Sequence, residues 1–349
     1  MSAHPGDIDL DKAPRAPRGI EGVPVIDIAE IRSGVRDPGA AAIREIAAAC
    51  RTWGFFQVVG HGVDGRLIES VWEQTRRFFA QPMAQKEALL RSRENPWGYY
   101  NNELTKNQRD KKEVFDLTTD GVDPVYGAEN RWPESLHGFR DTLGDYRDAC
   151  TQLSLDLLEA MCAGLGLEPG HLNEHFDPLH TGFLRLNFYP VRDPLAGRGD
   201  IAHLEVADLG VHHHTDAGAL TVLMQDATGG LQVYNDGYWY DVPPLPGAFV
   251  INTGDMMQVW SNDRYRAAMH RVLAMDTIDR YSLPFFFNPN AGTLVEPLPG
   301  VVSADEPARY DPIDWGEFRY RRTDGDYADY GTEVQISQYR RSTAESIEE

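Results

Sequence analysis

Hydrophobic and polar positions divide this chain into a mixed front, a central run of short strands and a charged tail. In the front, Val23–Ile28 and Phe55–Val59 are apolar runs of strand length. Between them Ala40–Trp53 is an alanine-rich helix, and Leu67–Phe79 is a second helix ended by Pro82. Lys86–Arg91 is assigned to a further helix. Phe139, Leu143, Tyr146, Cys150, Leu153, Leu157 and Met161 recur at steps of three and four. That spacing makes one face of a long amphipathic helix, stopped by Gly164 and Gly166. Thr181–Tyr189 alternates instead, with Arg185, Asn187 and Tyr189 on one face and Leu184, Leu186 and Phe188 on the other. Leu220–Met224, Leu231–Tyr234, Phe249–Ile251 and Tyr281–Phe287 follow, separated by glycine, proline and asparagine, which predicts successive strands of a sandwich or barrel. Asn95–Asp123 and Gly292–Tyr310 lack a period and are expected to be irregular. Tyr320–Arg341 is expected to form a terminal helix or flap, and Ser342–Glu349 a frayed end.

Candidate chemistry sits in the strand run. His214 and Asp216 stand two apart at the head of one strand, and Arg280 and Ser282 repeat that spacing near the end of the run. In extended chain this spacing puts both side chains on one face. His270 lies between the two pairs. Two imidazoles and one carboxylate on one wall suit a mononuclear non-haem iron(II) site with open positions. A lone His-x-Asp is more often a hydrogen-bonded strand end; here a downstream histidine and a cation two places from a hydroxyl accompany it. Of the three successive histidines His212, His213 and His214, only the last has a carboxylate two residues on. His213 is expected on the opposite face and His212 on the face of His214. His61, between Gly60 and Gly62, reads as structural.

These residues resemble the iron(II)/2-oxoglutarate-dependent oxygenases of the isopenicillin N synthase-like family. The resemblance rests on H-T-D at His214–Asp216, on His270, and on R-Y-S at Arg280–Ser282. G-G-L-Q-V, V-I-N-T-G-D, R-L-N-F-Y-P at Arg185–Pro190, G-F-F-Q-V-V-G-H-G-V at Gly54–Val63 and P-V-I-D-I at Pro24–Ile28 extend it in family order. It implies a mainly β fold with surrounding helices, built on a double-stranded β-helix, or jelly roll. It also implies that His214, Asp216 and His270 hold Fe(II), with 2-oxoglutarate and O2 as cosubstrates. Arg280 would grip the distal carboxylate of 2-oxoglutarate, helped by Ser282 and the Tyr189 hydroxyl, and Asn187 would bond near the chelating end. Arg185, Phe286 and Tyr100 are candidates for contact with substrate, with packing under a loop as the alternative for Tyr100 and Phe115. The expected activity is oxidation of an unactivated C–H bond of a small molecule in specialised metabolism, by hydroxylation, desaturation or cyclisation. A same-fold iron oxidase that uses no 2-oxoglutarate and a non-catalytic jelly-roll binding protein are the alternatives.

Bulk properties narrow the partners. A formal net charge of −21 argues against a nucleic-acid substrate, whose phosphates need a basic footprint. No apolar run is long enough to span a bilayer, so no membrane partner is expected. Cys50, Cys150 and Cys162 lack metal-ligand spacing and sit in apolar helical contexts, which predicts buried reduced thiols and a cytoplasmic setting. With no internal repeat and no dividing linker, residues 1–349 are expected to form a single oxygenase domain, as a monomer. Its parts are a disordered lead-in at 1–22, a helical and strand region at 23–175, the jelly-roll core at 176–290 and a C-terminal extension at 291–349. The loop Val191–Asp208, with Pro194, Gly197 and Gly199, is expected to be a lid or a passive insertion.

Overall fold

A computed structural model describes residues 10–17, 19–20, 22–105, 108–176, 179–196, 209–325 and 334–342. Its front carries β1 (Val25–Asp27), α1 (Ala29–Arg32), α2 (Ala41–Thr52), β2 (Phe55–Val59), α3 (Gly65–Phe79) and α4 (Met83–Glu87). β3 (Gly98–Tyr100), β4 (Leu104–Thr105), β5 (Gln108–Arg109) and β6 (Glu113–Thr118) lead to the long helix α5 (Phe139–Gly164). β7 (Phe183–Tyr189), β8 (Leu209–His214), β9 (Leu220–Gln225), β10 (Leu231–Asn235), β11 (Tyr238–Asp241), β12 (Phe249–Thr253), α6 (Asp255–Trp260), β13 (His270–Leu273) and β14 (Arg280–Phe287) follow. β15 (Leu294–Val295), β16 (Ile313–Asp314) and α7 (Trp315–Asp324) close the described elements of regular length.

Two sheets form the jelly roll. The larger runs β1-β2-β12-β9-β14-β7-β6-β3, and the smaller runs β11-β10-β13-β8. Every pairing within them is antiparallel except β1 with β2, which the α1–α2 crossover makes parallel. Period-two alternation then divides each strand of the larger sheet between two environments. On β14, Leu283, Phe285 and Phe287 join the apolar core with α5, while Arg280, Ser282, Pro284 and Phe286 line a cavity between the sheets. On β7, Leu184 and Leu186 face the core, and Arg185, Asn187 and Tyr189 face the cavity. The α5 stripe from Phe139 to Met161 is buried against this sheet and backs it. Pro284 is accommodated because the ladder to β7 lapses at Leu283 and Pro284, whereas the pairing of Pro284 with Leu223 on β9 continues.

Four expectations change. Asn95–Asp123 is not irregular; it supplies β3 to β6, and β6 is buried along its whole length. Its acids Glu113 and Asp116 break the apolar pattern, yet both are paired, Glu113 with Lys86 and Asp116 with Arg91 and Arg185. The helix placed at Lys86–Arg91 lies earlier, at Met83–Glu87, because Leu90 has left it to bridge Tyr99. The terminal helix begins at Trp315 rather than Tyr320, where the Asp314 carboxylate accepts from the Glu317 amide at 3.0 Å. Finally, residues 10–17 of the expected disordered lead-in are seated. Arg15 bridges Trp239 on the outer strand β11, and the Trp239 indole donates to the Leu10 carbonyl at 2.9 Å. An edge strand offers unpaired backbone groups, and this segment takes them up. Most of the 191–208 loop and the frayed end lie outside the described residues.

Cys50, Cys150 and Cys162 are free and buried on α2 and α5. Burial raises all three thiols, Cys150 and Cys162 to about 12 and Cys50 further. All three are therefore expected to resist a thiol reagent in the native protein and to react only on unfolding. Intact-mass analysis detecting a native disulfide would contradict this.

Candidate active site

The histidines meet on the smaller sheet. β8 ends at His214 and β13 begins at His270; the two residues pair across the ladder with ring centroids 4.3 Å apart. The register shifts immediately after this pair, a local irregularity of the kind that re-aims side chains beside a site. Asp216 sits two residues beyond β8, in a turn pinned from behind by α6. The Asp255 amide donates to the Asp216 carbonyl at 2.8 Å, and the Met256 amide to the Gly218 carbonyl at 3.0 Å. Position 254 must be glycine for this close approach, since a Cβ there would lie 2.3 Å from the Gly218 carbonyl oxygen.

The donor atoms fit a divalent cation. The ligand atoms of His214, Asp216 and His270 lie within 4.8 Å of one another. Asp216 Oδ1 is 3.6 Å from Nε2 of each ring. Each ring is oriented through its other nitrogen. His214 Nδ1 bonds to the His212 carbonyl at 2.7 Å, and His270 Nδ1 to the Ala268 carbonyl at 3.0 Å. A carbonyl only accepts, so Nδ1 carries the proton and each Nε2 keeps its lone pair for a metal. Asp216 Oδ2 accepts from Thr221 Oγ1 and from Asn252 Nδ2 at 2.8 Å, which leaves Oδ1 for the centre. Burial, then the neighbouring His270 ring, pushes His214 down to about 3. Burial alone would raise the Asp216 carboxyl, but the two imidazoles and its two hydrogen bonds outweigh that and hold it below the usual range. A neutral imidazole and an ionised carboxylate are the states metal binding requires.

Arg280, Ser282, Asn187 and Tyr189, the candidates for anion binding, stand on the facing sheet, across one cavity of about 220 Å³. Arg280 is fully buried, and its Nε donates to the Gly229 carbonyl at 2.6 Å. Its Nη1 donates to Ser282 Oγ at 3.2 Å. The Tyr189 ring lies under the guanidinium, centroid to carbon 4.9 Å, so Tyr189 meets Arg280 through its face. Asn187 pairs with Ser282 across β7–β14 and donates to its hydroxyl at 3.3 Å.

Two candidate substrate residues are otherwise engaged. Arg185 lines the cavity, but its guanidinium is bound to Glu103 and Asp116. Around it Arg91, Lys112 and Asp110 complete a buried ionic network, with His212 3.4 Å from Asp110. Burial alone would raise the Glu103 carboxyl; Arg185, Lys112 and Arg91 hold it well below the usual range. Tyr100 is not among the cavity-lining side chains; its ring lies under Arg91 at 4.7 Å. Phe115 is buried against Phe78. Phe286 does line the cavity, stacked on Phe183 at 4.6 Å. His61 is structural, bonding the Gly247 carbonyl at 3.0 Å.

Sequence reasoning missed Thr221 and Asn252, which aim Asp216, and Arg319 and Arg322, which α7 brings to the cavity. For the arginines a signal existed: D-W-G-E at Asp314–Glu317 is a capping pattern that would have started the helix early enough to put Arg319 and Arg322 on one face.

The profile of the 2OG-Fe(II) oxygenase superfamily matches residues 180–289. That of the non-haem dioxygenase N-terminal region, named for morphine synthesis, matches residues 23–135. Jasmonate-induced oxygenase 2 of Arabidopsis thaliana is 32% identical over 90% of this chain and 83% of its own length. Flavanone 3-dioxygenase 2 of Oryza sativa subsp. japonica is 33% identical over 85% and 82%. Among solved structures, JOX2 in complex with 2OG, Fe and JA superposes with a TM-score of 0.77 at 28% identity, covering 98% of this chain and 95% of that one. A full-length Neurospora crassa protein in complex with alpha-KG and thymine gives a TM-score of 0.76 at 25% identity, covering 89% and 99%.

Replacing Asp216 with alanine should abolish the charge-transfer band between iron(II) and the keto acid in anaerobic titrations. Asn252→Ala, which removes one bond to the carboxylate but keeps the donor, should weaken iron affinity by about 10- to 100-fold. A band of equal strength in Asp216→Ala would refute this ligand set.

Proposed function

The chain belongs to the 2OG-Fe(II) oxygenase superfamily, and from that premise we propose that it oxidises an unactivated C–H bond of a small molecule in specialised metabolism, by hydroxylation, desaturation or cyclisation. The enzyme depends on iron(II) and 2-oxoglutarate. The observation that carries the residue assignment is the convergence, in one cavity, of three oriented metal donors and one buried arginine clamp. His214, Asp216 and His270 would hold the metal, and iron(II) bound there would supply the O2 chemistry that consumes 2-oxoglutarate as the substrate is oxidised.

The chain's own residues bind and orient. Arg280 receives the distal carboxylate of 2-oxoglutarate; its Nε is already fixed on the Gly229 carbonyl, so its direction is set before the anion arrives. Ser282 Oγ, accepting from Arg280 and Asn187, can turn its own proton toward the same carboxylate. Phe183, Phe286, Leu104 and Pro284 give one part of the cavity an apolar lining against which the body of a substrate can pack. The relatives support a small-molecule substrate: one is named for a flavanone and another for gibberellin, while solved neighbours hold JA or thymine. Among the described residues no helix is long and apolar enough to cross a membrane, and the three unpaired buried cysteines favour the cytoplasm.

Arg280→Gln should lose a charge-assisted contact worth about 1.5–3 kcal/mol. That weakens 2-oxoglutarate use roughly ten- to a hundredfold and leaves iron affinity nearly unchanged. Succinate formed per O2 consumed, across a 2-oxoglutarate titration, reads the effect. Unaltered 2-oxoglutarate dependence in the variant, or substrate turnover by the parent without any keto acid, would favour an oxidase that takes no 2-oxoglutarate.

A further inference from the structure

α7 gives the cavity two arginines besides Arg280 and the cations of the ionic network. Arg319 and Arg322 stand three residues apart on this helix and both line the cavity, beside Trp315 and Thr323. Arg319 is only 5% exposed and lies among the rings of Trp97, Tyr126 and Phe183. Its Nη1 has no hydrogen-bond partner; the Asp123 carboxylate stands 3.7 Å away and is itself fully buried. Arg322 donates to two carbonyls, Val334 at 2.7 Å and Thr215 at 3.0 Å. No carboxylate among the described residues forms an ion pair with it.

Charge decides what such an end can take. The other cavity cations are committed: Lys112 and Arg185 lie inside the network with Glu103, Asp110 and Asp116. A divalent metal, the Asp216 carboxylate, a dianionic cosubstrate and the Arg280 guanidinium cancel one another. Arg319 is counterbalanced by Asp123 alone. Arg322 lines the cavity with its fork met by carbonyl dipoles and with no carboxylate among the described residues paired to it. Burial makes a poorly matched charge costly. The contact with Thr215 O, the carbonyl between His214 and Asp216, fixes this charge close to the metal donors.

We propose that the substrate is a carboxylic acid whose carboxylate is gripped by Arg322 and Arg319 and whose apolar body lies over Phe183, Phe286 and Leu104. The planar guanidinium fork suits a carboxylate, and the stacked phenylalanines suit a ring or alkyl body. This proposal rests on the oxygenase reading above and adds the class of its substrate.

The test uses the anaerobic protein loaded with iron(II) and saturating 2-oxoglutarate, so that Arg280 is occupied. Phenylacetate, cyclohexylacetate and 4-phenylbutyrate are titrated calorimetrically, each beside its primary amide. At least one acid should bind about ten- to a hundredfold more tightly than its amide, and Arg322→Gln should remove that preference while the amide binds as before. Arg322→Lys should restore part of it. The charge-transfer band, followed in the same samples, reports whether the metal site is still assembled. Its absence in the parent protein would sink the oxygenase reading itself. With the band present, binding of no acid, or equal binding of acids and amides, overturns the carboxylate proposal alone. Equal loss of acid and amide binding in Arg322→Gln, with a weakened band, would show that Arg322 serves only to hold the Thr215 carbonyl, and would overturn it as well.

Discussion

Three lone-pair donors pointed at one another are the constraint around which this protein is built. Nε2 of His214, Nε2 of His270 and Oδ1 of Asp216 face a common centre. Without a cation, such an arrangement is repulsive and poorly solvated, and a relaxed side chain would turn away. None can turn, because each is bonded through its far atom: the histidines through Nδ1 to backbone carbonyls, the aspartate through Oδ2 to Thr221 and Asn252. The carbonyls belong to the residues two before each histidine, so the strands themselves hold the rings. Preorganisation of this kind puts the cost of convergence into folding and leaves it out of metal binding.

The two sheets share the remaining tasks. The smaller sheet carries the histidines; the larger one carries Arg280, Ser282, Asn187 and Tyr189 on a single face. The period of two is what lets one strand serve both the core and the cavity. On β14 the odd-numbered residues from Leu283 onward pack against the helical layer, and the even-numbered ones reach the cavity. A slip of one residue would carry Arg280 and Ser282 to the core side, so placement in the cavity and core burial enforce the same register. α5, with its buried stripe, keeps the larger sheet from shifting beneath the clamp.

The ionic network beside the cavity obeys a different logic. Arg91, Arg185 and Lys112 meet Glu103, Asp116 and Asp110 with almost no solvent. Such clusters contribute little net stability, since desolvation consumes most of the Coulombic gain, but removing one member leaves its partners buried and unmatched. The network joins the β3–β6 region to β7, and it explains why acidic residues can occupy a fully buried strand.

Much of this was legible from residue order alone. Alternation in β7 and β14, the helical stripe of α5, and the spacing of His214, Asp216, Arg280 and Ser282 are local properties, because side-chain direction in a strand or helix follows from backbone geometry within a few residues. That geometry puts His214 and Asp216 on one face; His270, far along the chain, was added to them through the family resemblance. Tertiary structure alone decided the rest. β6 was hidden because its acids look like surface until Lys86, Arg91 and Arg185 arrive from distant segments. Arg185 looked free to meet a substrate until Glu103 and Asp116 claimed it. Residues 10–17 took a place on β11 through backbone bonds that no side-chain pattern announces. Arg319 and Arg322 drew no reading from the sequence; only the packing of α7 beside the cavity turned them inward. A pairing between segments far apart in the chain leaves no periodic trace in either one, and these features depend on such pairings.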